Sequence, residues 1–322
     1  MKRRRFSIET PHDLSPETRA NVGSRLFCGA RCEICLGNVM TARRPFGLPT
    51  ADELSQYNIW DSYFLPLQGP DDRRFANDMA RSIPTIDKAA IKRLCVFLHV
   101  GLGTADRATE ARLRGDPAAI LAPLKKWPDR LLGMMRLNPM DVRGSLDALN
   151  RWMRDGPMVG VYFASSKQAS LPCNHRNFDP LVKRIDELGG VIIQHTWFKT
   201  GGKDSAGEST PSELAELAKR FPDIRFVCAH AGGEWEKGIR AIRACPNILA
   251  ETSGFDATAG FIEMAVRELG ADRVVFGSHL PSRSLGTELS KVLSADISRA
   301  DRMKIFGGNL RQLLDPILSR KN

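Results

Sequence analysis

No run of apolar residues in this chain approaches the roughly 20 that a membrane helix needs, so no membrane association is expected. No stretch combines clustered basic residues with aromatics, which argues against nucleic acid as a partner. The net charge of +10 does not reverse that reading, because it is unevenly placed. Residues 1–50 hold nine Lys/Arg against four acids, which is half of the excess. The rest reads as a mildly basic, solvated surface. Disulfide-like spacing is also missing. Seven cysteines, an odd number, are scattered through a long chain, a pattern that favours reduced thiols in a cytoplasm. Arg3-Arg4-Arg5-Phe6 resembles the start of a twin-arginine export signal, but Ser7 to Ser24 supply no apolar core for one. A cytoplasmic location is therefore expected, with export left open by that decayed signal.

Residues 1–50 carry scattered Pro, Arg and Gly without a period, and read as a basic, partly ordered N-terminal extension. Within it, Cys28, Cys32 and Cys35 have the C-x3-C-x2-C spacing that can hold an iron–sulfur cluster or zinc. No strand pattern precedes them, so unligated thiols are expected. From residue 58 a different rhythm begins. Eight apolar runs alternate with helical patterns: 59–65, 94–99, 131–137, 159–164, 191–195, 226–230, 248–251 and 274–277. Continuous Val/Ile/Leu/Phe runs of this kind are strands buried on both faces. The helices between them carry start and stop signals. Thr210-Pro211-Ser212-Glu213 offers an N-cap, a proline at the first helical position and a glutamate at the third. The amphipathic stretches 178–188 and 261–269 end at Gly189-Gly190 and Gly270. The expected fold is α/β, a (β/α)8 TIM barrel over residues 51–322.

Three of the last four runs end in or just before a histidine: His195, His230 and His279. The blocks around them resemble one family. Phe221-Pro222-Asp223-Ile224-Arg225-Phe226-Val227-Cys228-Ala229-His230-Ala231-Gly232-Gly233 is similar to the sixth-strand block of the amidohydrolase superfamily, in its amidohydrolase-2 branch. That branch includes aminocarboxymuconate-semialdehyde decarboxylase-like enzymes. Pro246-Asn247-Ile248-Leu249-Ala250-Glu251-Thr252-Ser253-Gly254, then Asp272 to Pro281, then Lys304 to Asn309, resemble its seventh-strand, eighth-strand and closing blocks. The resemblance implies a divalent metal, zinc by default, at the C-terminal end of the barrel. It matches His195 to the strand-five ligand and His230 to the strand-six histidine.

Two elements depart from the pattern. Ile59 to Leu65 aligns with a first strand that should carry an H-x-H pair, and Tyr63 and Leu65 stand in its place. His279 stands where the family has an aspartate that is both ligand and base. Leucine cannot ligate, and neutral tyrosine is a poor zinc ligand. The metal site is then either rebuilt from His195, His230 and His279, which His99 at the end of strand two could join, or lost.

Two functions are expected from this. One is a hydrolase or decarboxylase acting on a small organic acid or lactone, with His230, His279 and Glu251 as acid–base groups. Tyr63, Arg136 and Trp197 would shape its substrate pocket. The other is a non-catalytic barrel of the same descent with a binding or scaffold role. A homodimer is the default assembly.

Overall fold

The eight apolar runs become eight parallel strands whose order around the sheet follows the chain. They are β1 (Trp60–Phe64), β2 (Arg93–His99), β3 (Leu131–Arg136), β4 (Gly160–Phe163), β5 (Val191–His195), β6 (Phe226–Ala229), β7 (Ile248–Glu251) and β8 (Val274–Val275). The computed structural model describes residues 49–66, 73–102, 111, 113, 115–164, 171–199, 207–255 and 257–321. The chain divides into Met1–Leu48 and Pro49–Asn322. The basic extension and the Cys28/Cys32/Cys35 cluster therefore lie outside the described residues. Among the described residues, no helix is long and apolar enough to cross a membrane.

The two ends of the sheet meet. Ser62 N–H donates to the Phe276 carbonyl at 3.0 Å, Leu65 N–H to Leu280 at 2.9 Å, and His279 N–H to Tyr63 at 2.9 Å. Asp61 adds a side-chain stitch: one carboxylate oxygen accepts from the Tyr63 N–H and the Ser278 N–H, both at 2.9 Å. These bonds close a (β/α)8 barrel with its strand ends at one mouth.

The α-helices, in chain order, are α1 (Ala51–Ser55) before β1, then α2 (Arg73–Lys88), α3 (Pro117–Lys126), α4 (Val142–Ala148), α5 (Phe178–Glu187), α6 (Pro211–Arg220), α7 (Trp235–Ile242) and α8 (Phe261–Leu269) between successive strands, and α9 (Leu285–Leu293), α10 (Arg299–Met303) and α11 (Asn309–Lys321) after β8. The Thr210 capping box forms as its sequence suggests, with Thr210 N–H donating to Glu213 at 2.7 Å. Three side chains explain why particular residues stand between elements. Asn247 donates to the carbonyls of Ala218, Phe221 and Ile224, tying the end of α6 to the start of β7. Arg273 donates to the carbonyls of Ile242, Arg243, Cys245 and Ile248. Asn309 donates to Ala271 and Val274, both at 2.7 Å. Each satisfies backbone acceptors that would otherwise be stranded at an element's end.

Candidate active site

The side-chain period of two sends alternate residues of each strand into the barrel. At the mouth this gathers Tyr63, Phe97, Tyr162 and His195, and the turns just past β6 and β8 add His230 and His279 to one aromatic cluster. Tyr63 is fully buried. Its ring stacks on His279 at 4.8 Å between centroids and meets His230 at 4.7 Å and Phe97 at 4.6 Å. Its hydroxyl shares a hydrogen bond of 2.6 Å with that of Tyr162, and Tyr162 lies flat on Phe97 at 4.0 Å. Burial pushes the Tyr63 phenol well above its ordinary value, with Tyr162 adding to the rise, so it stays neutral.

His230 is held from beneath. Its backbone N–H donates to one Glu251 carboxylate oxygen at 2.9 Å, and the other oxygen accepts from Ser253 N–H at 2.7 Å. The imidazole Nδ1 lies 3.0 Å from the Ser253 carbonyl, a contact that needs the proton on Nδ1 and leaves Nε2 as an acceptor. The backbone is in the left-handed region at His230 (φ +64°), Ala231 (φ +44°) and His279 (φ +52°). Such conformations cost on the order of 1–3 kcal/mol each and persist only where packing enforces them. Two glycines make the arrangement fit. A Cβ on Gly254, itself at φ +96°, would strike the His230 ring, and one on Gly277 would strike the Glu251 carboxylate.

Burial sets the charge state of the cluster. It pulls His195 down to about 4, helped by the charges of His279 and Arg136. His230 falls well below its ordinary value by burial and by its histidine neighbours. His279 is lowered by burial, then by Arg283 and Lys291. His99 drops to about 3, by burial and then by Arg136. The imidazoles are thus neutral at pH 7. Burial pushes Glu251 up to about 7 against the bonds from His230 and Ser253, and Asp61 up to about 7 against those from Ser278 and Tyr63.

The histidines named from the sequence do converge. His195 and His230 lie 5.0 Å apart between ring centroids, and His230 and His279 5.1 Å. Yet the donor set does not fit a metal ion. Among the described residues, no group of three or more His, Cys, Asp or Glu is placed to hold one. A neutral phenol ring is wedged against two of the three imidazoles. His279 Nδ1 is engaged with the Ser282 hydroxyl at 2.6 Å and His230 Nδ1 with Ser253, which leaves only Nε2 of each ring as an acceptor and does not itself count against ligation.

The other named residues sit close by. Trp197 meets the His230 ring at 5.8 Å and packs over Gly233. It also forms one wall of a cavity of about 540 Å3 shared with Trp235, Lys237, Phe255 and Arg283. Arg136 Nη1 lies 2.7 Å from His99 Nε2 and its guanidinium sits over the Tyr162 ring at 5.7 Å. The Nε2 of His99 is thus taken up by Arg136. Glu251 points at backbone N–H groups beneath His230, not at Arg136. The sequence reading omitted Tyr162, Phe97, Asp61 and Ser253. The signal for Phe97 was there, since it stands one period inside His99 on β2 and shares its inward parity; Tyr162, the last but one residue of β4, shares it only through its register with Arg136.

Residues 66–315 match the family model described as Amidohydrolase. Gamma-resorcylate decarboxylase of Polaromonas sp. (strain JS666) is 22% identical over 284 residues, covering 72% of this chain and 86% of that protein. The uncharacterized protein y4mH of Sinorhizobium fredii is 24% identical over 121 residues. That match covers 30% of this chain and 41% of the relative, so the chain spans less than half of that protein's length. Among solved structures, 5-carboxyvanillate decarboxylase from Novosphingobium aromaticivorans has the same fold, with a TM-score of 0.61 at 18% identity. The match covers 81% of this chain and 97% of that one, which was crystallised with manganese and 4-hydroxy-3-methoxy-5-nitrobenzoic acid.

Proposed function

This chain belongs to the amidohydrolase family, and from that premise we propose that its barrel mouth binds a small aromatic acid and acts on it by proton transfer between side chains, without a resident metal ion. The observation that carries this reading is the place of Tyr63. Its buried, neutral ring lies against His230 and His279 on the strand where the family's resemblance calls for a histidine pair. The aromatic-acid part is supported by the relatives, one a gamma-resorcylate decarboxylase and one holding a nitrobenzoic acid. The solved relative carries manganese rather than zinc, so zinc has no support from that side either.

In this reading His195 and His279, both partly exposed, are the imidazoles a ligand reaches. Glu251 acts through His230, fixing its backbone while the Ser253 carbonyl sets its tautomer, and is a positioning residue. Decarboxylation fits the named relatives better than hydrolysis. When the carboxylate leaves as carbon dioxide, the electron pair stays on the ring carbon, and that carbon takes one proton relayed through an imidazole, whose ring nitrogen regains it from solvent water, the hydroxide ending with the released carbon dioxide as bicarbonate. The test is carbon dioxide release from 2,6-dihydroxybenzoate with and without EDTA. Release that is unchanged by the chelator and lost in His195→Ala supports the reading. Release that disappears with EDTA and returns with manganese would sink it.

A second reading, binding without turnover, is favoured by one observation. Both Glu251 oxygens and His230 Nδ1 are already spent on main-chain groups. It would show as saturable binding of 2,6-dihydroxybenzoate with no carbon dioxide released at any pH between 5 and 9.

A further inference from the structure

Arg136 ends β3 with its charge uncompensated. Among the described residues it has no carboxylate within ion-pair distance, and its buried Nε has no hydrogen-bond partner. Nη1 is engaged with His99 Nε2 at 2.7 Å. A guanidinium can only donate, so His99 must accept there as a neutral ring. A neutral imidazole returns no charge, and the face of Tyr162 at 5.7 Å offers only a weak attraction. A part-buried cation in that state is costly unless an anion joins it. The side of the fork formed by Nε and Nη2 makes no hydrogen bond among the described residues. That edge matches the two oxygens of a carboxylate by parallel N–H···O bonds. Arg136 also shares the mouth with His195, which feels its charge.

We propose that Arg136 is the carboxylate anchor of this barrel, taking a monocarboxylate ligand on its Nε–Nη2 edge and so selecting acids over their neutral analogues. The ring of that ligand rests on the aromatic-acid reading above; the carboxylate contact stands without it. The anchor is a binding group of this chain's own and needs no metal.

The experiment titrates the full chain with acetate, benzoate and benzamide, read by calorimetry, and repeats it with Arg136→Met and Arg136→Lys. Losing a charge-assisted contact should weaken benzoate by about 10- to 100-fold in Arg136→Met. Benzamide should be unaffected, and Arg136→Lys should keep part of the affinity. Without ligand, Arg136→Met should melt no lower than the wild type, because it removes an uncompensated charge; a purely structural arginine would give the opposite. Benzoate binding as tight in Arg136→Met as in the wild type overturns the anchor. So does an equal loss of benzoate and benzamide accompanied by a lower melting temperature, and so does a wild type that binds no carboxylate. If acetate binds through Arg136 but benzoate binds no more tightly than acetate, the anchor stands and the aromatic-acid reading fails.

Discussion

Tyr63 and Tyr162 share a hydrogen bond between their buried hydroxyls, and neither hydroxyl has another side-chain hydrogen-bond partner among the described residues. Tyr63→Phe should therefore leave the Tyr162 hydroxyl stranded, at a cost of about 1–3 kcal/mol. Removing both hydroxyls, Tyr63→Phe with Tyr162→Phe, should cost less than the sum of the two single changes. Urea unfolding of the three variants measures this; strict additivity would contradict the pairing. A second residue-scale prediction concerns His99, held at about 3 when folded against about 6.5 when unfolded. Below about 6.5 the unfolded chain takes a proton that the folded chain refuses, so stability falls as the pH drops toward 3. His99→Gln keeps an acceptor for Arg136 and removes that titration. Its stability relative to the wild type should rise between pH 7 and pH 5, by up to about 1.4 kcal/mol per pH unit. A gap that stays constant would show that His99 is not held neutral. The place of Tyr63, Arg136 and Trp197 at the barrel mouth was legible because each stands near a strand end. Their partners were not, since a contact such as Tyr63 with Tyr162 depends on the register of β1 and β4, which are separated by two other strands.

At the scale of elements, the blocks that carry the family resemblance owe much of their identity to backbone clamps. Asn247 serves three carbonyls, Arg273 four and Asn309 two. Asn247 and Arg273 sit where β7 and β8 begin, and Asn309 opens α11 and reaches the start of β8, at the end of the barrel opposite the histidines. Asn247→Ala should lower stability by about 1–3 kcal/mol and leave benzoate affinity unchanged. A matching loss of affinity would show that the clamp reaches the mouth. Strand positions were readable to within two residues, because buried parallel strands need continuous apolar runs and those runs are short and well punctuated. The helix 211–220 was equally readable from its capping box and leading proline. The left-handed backbone at His230 and His279 was not, because nothing in a histidine announces a positive φ.

For the whole molecule, eight strands in chain order put every strand end at one mouth, so the barrel and the gathering of His195, His230 and His279 follow from the sequence rhythm. What the mouth does depends on distances of a few tenths of an ångström between side chains from different strands. The rings of the three histidines lie close together, as zinc sites require, yet the phenol of Tyr63 is packed against two of them and no ligating set forms among the described residues. Metal independence is therefore the point on which the reading turns. The most direct measurement is elemental analysis of the full chain, expressed with manganese and zinc supplied and purified without chelators, alongside His195→Ala and His230→Ala. The expected result is manganese and zinc far below one ion per chain in all three proteins, with benzoate binding retained by the wild type. One ion per wild-type chain, lost in either histidine variant, would contradict it.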